Sequence, residues 1–236
     1  MSYHRKQSDF ANYRGQAGAT YHRKRHAGTP FRDKIIAKSR AQKIQPFVKE
    51  TDVVLEYGVG VGYNLAALCC QKKIGYDVAE ACRERVESKG INFTSDIDEV
   101  LKWQEQFDVV ICHHVLEHVP NPLMELSRIR QLLKPTGHLI LCVPFENTRM
   151  YRKFSPRDPH MHLFSWNVQS ICNLLSYLSY EINVAKIRRF GYERKLAPLA
   201  KFGVWAYKAG LWIARLLRPF PDELFIVTSI KRKSSN

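Results

Sequence analysis

The run Val53-Val54-Leu55-Glu56-Tyr57-Gly58-Val59-Gly60-Val61-Gly62-Tyr63-Asn64-Leu65 constrains this chain more than any other stretch. Its β-branched apolar opening predicts a buried parallel strand. Glycines at alternating positions end that strand, and the apolar-periodic stretch Leu65 to Cys70 predicts a helix start. Strand, glycine turn and helix is the geometry by which a doubly wound α/β sheet holds a nucleotide-like ligand at its carboxyl edge. Glycine is required because the backbone must turn sharply and approach the ligand where a Cβ would collide.

The spacing narrows the ligand. A dinucleotide fold uses Gly-x-Gly-x-x-Gly to seat a pyrophosphate on a helix N-terminus. Here the pattern is Glu56-x-Gly58-x-Gly60-x-Gly62, with an acid two residues before the first glycine. A carboxylate there repels a pyrophosphate and suits a cationic ammonium group. The segment resembles motif I of the class I S-adenosylmethionine (SAM) methyltransferases; a structural turn in another α/β protein is the competing reading of these residues taken alone. The resemblance implies SAM as cofactor, with Glu56, Gly58, Gly60 and Gly62 around it. It also implies an α/β, Rossmann-like, seven-stranded doubly wound sheet in the order 3-2-1-4-5-7-6, its last strand antiparallel.

Further along, Lys73 to Val78 reads as a short second strand ending in an acid. Asp77 lies about twenty residues beyond Glu56, the interval at which such folds place a carboxylate on ribose hydroxyls. A carboxylate can accept two hydrogen bonds from a vicinal diol. Ile91 to Thr94 is a third strand, followed by Ser95-Asp96-Ile97. In the family pattern Asp96 accepts from the adenine amino group and Ile97 packs on the ring; capping of a helix by Ser95 or Asp96 is the alternative. Val78, beside Asp77, and His113, at the end of the fourth strand, complete the expected cofactor set.

Phe107 to Cys112 is continuous and apolar, as a strand covered on both faces should be. It runs into His113-His114-Val115-Leu116-Glu117-His118-Val119-Pro120-Asn121-Pro122, where Asn121 can cap a helix with Pro122 at its first position. That helix carries Leu123, Leu126, Ile129 and Leu133, and His138 to Pro144 follows as strand five. This ordered set resembles the small-molecule branch of the methyltransferases, which includes the ubiquinone-biosynthesis O-methyltransferases, over roughly residues 50–190.

Positions 114, 117 and 118 would share one face of a helical turn, which makes His114, Glu117 and His118 the candidate catalytic residues. Two uses compete with a purely structural tie of the loop to the sheet edge. One histidine can act as general base, or the trio with His162 can bind a divalent metal that acidifies a hydroxyl. Some ubiquinone-pathway and small-RNA terminal 2′-O-methyltransferases use an acid, then Glu-His, then a distant His ahead of Phe-x-Trp. Glu117, His118 and His162 match that pattern, but His114 stands where the first acid would be, and we assign no metal from the sequence.

Phe145 to His162, rich in Arg, Pro and His, is expected at the sheet's carboxyl edge, where an acceptor must enter. His162 to Trp166 is read as opening a helix that reaches Leu178, with strands at Tyr180–Ile187 and Glu223–Lys231. Between these strands lies a helical insert, 196–221, in which Lys201, Lys208 and Arg215 recur every seven residues among Phe202, Trp205, Trp212 and Leu217. Embedded cations disfavour a membrane span. An interfacial helix on a membrane surface and a lid or dimerisation helix are the competing readings.

Residues 1–30 carry Tyr-His-Arg-Lys twice, at Tyr3–Lys6 and Tyr21–Lys24. We read them as a basic arm ahead of a methyltransferase domain over 31–236, with a disordered leader as the plain alternative. They do not read as a signal peptide. Pro30 to Pro46 reads as an amphipathic basic helix. The six cysteines form no Cys-x-x-Cys pair and read as reduced core residues, so the expected location is cytoplasmic, with a peripheral position at the inner face of the membrane. A formal charge of +15 argues for an anionic contact: lipid headgroups, nucleic acid or a phosphorylated substrate.

The expected function is therefore methyl transfer from SAM to a hydroxyl of a small-molecule, sugar or lipid-linked acceptor. An RNA ribose 2′-O-methyltransferase is the alternative. Nucleic acid is the less favoured partner because the basic stretches match no recognisable nucleic-acid module. A non-catalytic SAM-fold binding module is the third reading, and neither oligomeric state nor acceptor follows from the sequence.

Overall fold

The computed structural model describes residues 29–145, 161–189, 191–217 and 222–231, together with Gly15 and Gly18. The repeated Tyr-His-Arg-Lys arm and residues 146–160 of the expected acceptor loop lie outside them. The chain enters through helix α1 (Pro30–Ile44), with Pro30 in its first turn and the Thr29 hydroxyl accepting from Arg32 N. Strand β1 (Val53–Tyr57) leads through the glycine turn into α2 (Tyr63–Ala66). Next come β2 (Lys72–Tyr76), α3 (Arg83–Glu87), β3 (Asn92–Thr94) and α4 (Ile97–Leu101). The second half runs β4 (Phe107–His113), α5 (Pro122–Leu132), β5 (Leu133–Phe145), α6 (Val168–Tyr177) and β6 (Tyr180–Arg189). Helices α7 (Glu193–Leu196) and α8 (Val204–Leu217) precede the last strand, β7 (Asp222–Ile230).

One seven-stranded sheet results, ordered β3-β2-β1-β4-β5-β7-β6, as expected. The first five strands pair in parallel, and β7 inserts antiparallel between β5 and β6. Both faces are covered, which is why the central strands read as unbroken apolar runs. Alternate residues serve opposite faces: Leu55, Val110, Cys112, Leu139 and Leu141 belong to one core, while Val54, Val109, Ile111, Ile140 and Cys142 belong to the other. Because the parallel strands end at one edge, the loops after β1, β2, β3 and β4 gather there. The antiparallel β7 begins at that edge.

Several sequence expectations need correction. Leu133, read as part of the helix after Asn121, opens β5 five residues ahead of His138. Helix α2 spans Tyr63–Ala66 and does not continue to Cys70. The Gln45 side chain takes both backbone groups of Cys69, donating to its O at 3.1 Å and accepting from its N at 2.8 Å, and this holds the chain out of helix. The helix expected from His162 begins instead at Val168, where Asn167 and Ser170 form a capping box. Residues ahead of it dock on the loop after β4, with Leu163 N donating to Glu117 O at 2.7 Å. The cysteines are all free, but Cys69 is exposed and Cys70 and Cys172 are only half-buried, so only Cys82, Cys112 and Cys142 belong to the core.

The insert is also not one helix with one cationic line. A six-residue 3-10 helix, Ala197–Phe202, ends at Gly203 (φ +110°), which separates Lys201 from α8. Arg215 is occupied by Glu193 at 2.9 Å. Among the described residues, no helix is long and apolar enough to cross a membrane.

Candidate active site

The glycine turn is built from three residues with positive φ: Gly58 (+83°), Gly60 (+53°) and Gly62 (+78°). The N–H groups of Gly58 and Val59 donate to Tyr76 O at 2.7 and 2.9 Å, which closes the turn against β2. A Cβ on Gly58 would lie 2.2 Å from Val115 Cγ2, because the loop after β4 packs directly on the turn.

Strand β1 delivers Glu56 to this edge and buries it almost completely. Asn64, the second residue of the following helix, donates its side-chain amide to Glu56 Oε1. Glu56 Oε2 and Asn64 Oδ1 are buried and accept no hydrogen bond. Burial pushes the Glu56 carboxyl up to about 8, against the lowering influence of Asn64 and the positive charge of Arg40. With the carboxyl ionised, these two neighbouring buried acceptors could receive a group that brings several N–H bonds and a positive charge. Asn64 was not singled out from the sequence, although its place eight residues after Glu56 on the helix that the glycine turn opens is a readable signal.

Asp77, just past β2, accepts from Gly60 N at 2.7 Å through Oδ2 and from Ala79 N at 2.9 Å through Oδ1. The carboxylate therefore braces the turn as well as facing the site. Val78 beside it is half-buried against the core. Asp96 caps α4, its Oδ1 accepting from Asp98 N at 2.9 Å, so the capping alternative is realised. Asp96 as a residue is exposed, and Ile97 packs partly on the core. Glu56 near the end of β1, Asp77 just past β2 and Asp96 past β3 thus belong to three neighbouring strands, separated by steps of about 5 Å across the sheet.

The histidines after β4 form the other half of the site. His113 ends β4 with its ring enclosed. Lys43 from α1 reaches it, Nζ to Nε2 2.8 Å, and clasps both oxygens of Glu223 on β7 at 2.7 and 2.8 Å. His114 sits in the left-handed region at φ +56°, pinned by its N–H on Cys142 O at 2.8 Å. Its ring stacks on His113 with centroids 4.5 Å apart. Nδ1 lies 3.5 Å from Glu117 Oε1 and Nε2 lies 3.6 Å from Glu223 Oε2. His118 Nε2 is 3.7 Å from the same Glu117 oxygen, and its ring meets His162 edge-on at 4.9 Å. The structure therefore brings His114, Glu117, His118 and the distant His162 together.

Burial is the main influence on both stacked rings: it holds His113 well below the ordinary histidine value and lowers His114, outweighing the pull of Glu223. Burial would raise Glu223, but Lys43 and the two histidines outweigh it and hold the carboxyl well below its usual range. Ligand atoms of Glu117, His118 and His162 lie within 4.8 Å of one another, close enough for one cation. His113, Cys142 and Glu223 converge in the same way, and there the ammonium of Lys43 lies against His113 and Glu223.

Sequence reasoning missed Lys43, Arg40 and Glu223. The two cations lay in a helix that reads as basic and solvated, and Glu223 begins an apolar strand. No local pattern marks any of them; the signal is their shared place at the sheet edge.

Comparison with known proteins agrees with this geometry. A family model described as a methyltransferase domain matches residues 27–182, more than half of the chain. A ubiquinone biosynthesis O-methyltransferase of Coxiella burnetii is 30% identical over 107 residues, covering 42% of this chain and 46% of that protein. The chain spans about half the length of the curated relatives it matches. Among solved structures, a SAM-dependent methyltransferase from Archaeoglobus fulgidus shares the fold at TM-score 0.58 and 20% identity, with 88% of this chain and 97% of that one covered. So does the 1,6-didemethyltoxoflavin-N1-methyltransferase of Burkholderia thailandensis, solved with S-adenosylhomocysteine, at TM-score 0.59 and 15% identity over 91% and 85% of the two chains. The family match and the strand order place this chain in the methyltransferase-domain family.

Proposed function

We propose that this chain transfers the methyl group of SAM to a hydroxyl oxygen of a small-molecule, sugar or lipid-linked acceptor. The observation that carries the proposal is the buried pair Glu56 Oε2 and Asn64 Oδ1, two acceptors lacking donors beside a glycine turn. The α-ammonium of SAM offers the missing donors, so the residues fit the cofactor. The choice of oxygen is supported by the name of the curated relatives, which are O-methyltransferases.

When bound, SAM supplies a methyl group already activated on a sulfonium. The protein's own residues hold and align. Glu56 and Asn64 would take the ammonium, and Arg40, whose charge acts on both Glu56 and His114, would answer the cofactor's carboxylate. Asp77 and Val78 would hold the ribose and Asp96 and Ile97 the adenine, while Gly58, Gly60 and Gly62 would clear space for close approach. His113 backs the cofactor from the end of β4. Alignment of this kind contributes about 7–11 kcal/mol to a bimolecular reaction. His114 or His118 would take the proton of the acceptor hydroxyl, a contribution of about 10²–10⁴-fold. Glu117 lies between these two rings, 3.5 Å from His114 Nδ1 and 3.7 Å from His118 Nε2.

A second reading is favoured by one observation, the convergence of Glu117, His118 and His162. A divalent metal held there would polarise the acceptor hydroxyl and lower its pKa.

The membrane-surface placement rests on α8. Trp205 and Trp212 are 76% and 65% exposed, with Val204, Ile213, Leu216 and Leu217 also exposed and Lys208 beside them. Tyr207 and Leu211 bury the opposite face. An exposed apolar stripe with tryptophans and a cation suits the headgroup boundary of an anionic membrane, where a lipid-linked acceptor would be met.

The test is a transfer assay with methyl-labelled SAM on host lipid, glycan, small-metabolite and RNA fractions, using Glu56→Gln as control. Label in an alkali-stable ether of a lipid, glycan or metabolite, lost in the control, is expected. Label confined to RNA would overturn the acceptor class, and label in no fraction would overturn catalysis.

A further inference from the structure

We propose that Glu223, clamped by Lys43, is a positioning residue that fixes His114 as the Nε2–H tautomer and leaves Nδ1 as the ring's lone-pair nitrogen. The inference rests on the proposed role of His114 in methyl transfer. It concerns residues from the two ends of the chain, 180 positions apart, that meet only at the sheet edge.

The geometry starts from β7. Because this strand runs antiparallel to β5, its second residue, Glu223, lies opposite Pro144 at the carboxyl ends of the parallel strands. Lys43 comes down from the last turn of α1 and holds both Glu223 oxygens within 2.8 Å. A carboxylate held this way stays charged and cannot rotate. A charged acceptor makes the stronger hydrogen bond, by roughly a factor of two. His114 Nε2 points at Glu223 Oε2 from 3.6 Å, a separation that closing of a site around its ligands commonly shortens.

A neutral imidazole carries one N–H and one lone pair, so a proton committed to Glu223 through Nε2 leaves Nδ1 basic. Nδ1 faces Glu117 at 3.5 Å, where the other tautomer would donate; the ammonium-clamped charge of Glu223 is what selects Nε2–H between the two carboxylates. His113 takes the opposite form. Lys43 donates to its Nε2, so its proton resides on Nδ1. One ammonium therefore sets two stacked rings in opposite tautomers, one directly and one through Glu223. The left-handed backbone of His114, pinned on Cys142 O, keeps its ring between the two carboxylates.

The experiment uses the full chain labelled with ¹⁵N-histidine, at pH 7.5 with chelator and without acceptor. Long-range ¹H–¹⁵N spectra report which nitrogen of each ring is protonated, and His113→Gln and His114→Gln assign the signals. We expect Nδ1–H for His113 and Nε2–H for His114 in the wild type. In Glu223→Gln the two His114 nitrogens should shift toward an averaged or inverted pattern, with S-adenosylhomocysteine affinity changed less than twofold. Glu223→Asp, which keeps the charge, should restore the wild-type pattern. If Glu223→Gln does not fold, Lys43→Met removes the same clamp and should produce the same His114 shift. A bare Nε2 on His114 in the wild type overturns the proposal, as does an unchanged His114 pattern in the folded variants. The readout needs no acceptor: full turnover in His114→Ala would remove the catalytic reading while leaving the tautomer result to stand or fall by itself.

Discussion

Cofactor binding should tighten about ninefold between pH 6 and pH 7, and Glu56→Gln should abolish that dependence. The magnitude follows from burial. With its pKa pushed up to about 8, Glu56 is protonated in the empty site, while an ammonium ligand needs the carboxylate. The ionised fraction is about 1% at pH 6 and about 9% at pH 7, each unit below the pKa costing about 1.4 kcal/mol. Calorimetry with S-adenosylhomocysteine measures this directly. In buffers of different ionisation enthalpy it should also report release of about 0.9 proton per binding event at pH 7. Stability of the empty protein moves the other way. The folded carboxyl keeps its proton up to about 8 whereas the unfolded one loses it near 4.5, so stability is lost as pH climbs through that window. Glu56→Gln should bind more weakly than wild type at pH 7, show no slope between pH 6 and 7, and lose less stability toward pH 8. A wild-type affinity that is flat across the range, or a slope that survives in Glu56→Gln, refutes the assignment of the ammonium to this carboxyl.

The other predictions test packing, chemistry and surface. Gly58→Ala places a Cβ 2.2 Å from Val115 Cγ2 at φ +83° and should cost about 2–4 kcal/mol of stability, read by thermal unfolding, with Val115→Ala added in the same chain recovering part of the loss. His114→Ala and His118→Ala should each lower turnover by about 10²-fold or more while leaving S-adenosylhomocysteine affinity largely intact. Chelator treatment separates the two chemistries: full activity without metal removes the metal-assisted reading. Trp205→Glu with Trp212→Glu should release the protein from anionic vesicles in a sedimentation assay without changing cofactor affinity. Failure of the wild type to sediment at low salt would make α8 a lid or dimer contact instead.

The local chemistry of the chain determined the sheet and one side of the site. β-branched runs ending in glycine, an acid at or just past the end of each of three strands, and Asn121-Pro122 at a helix start are short-range signals, because strand burial, tight turns and caps depend on neighbours a few residues apart. They sufficed to place Glu56, Gly58, Gly60, Gly62, Asp77 and Asp96 at one edge in the strand order observed. Local pattern misjudged the insert, where a seven-residue cationic repeat looked continuous although Gly203 breaks it and Glu193 claims Arg215. The basic character of α1 likewise hid Lys43, since an isolated lysine in a charged helix reads as solvated until a buried partner is known. Only the tertiary structure decided that partner. The antiparallel insertion of β7 carries Glu223 to the carboxyl edge, the docking of Leu163 on Glu117 O brings His162 to His118, and Arg40 comes to lie where its charge reaches Glu56. These meetings join residues far apart in the chain, and their energies exist only once the sheet has closed around them.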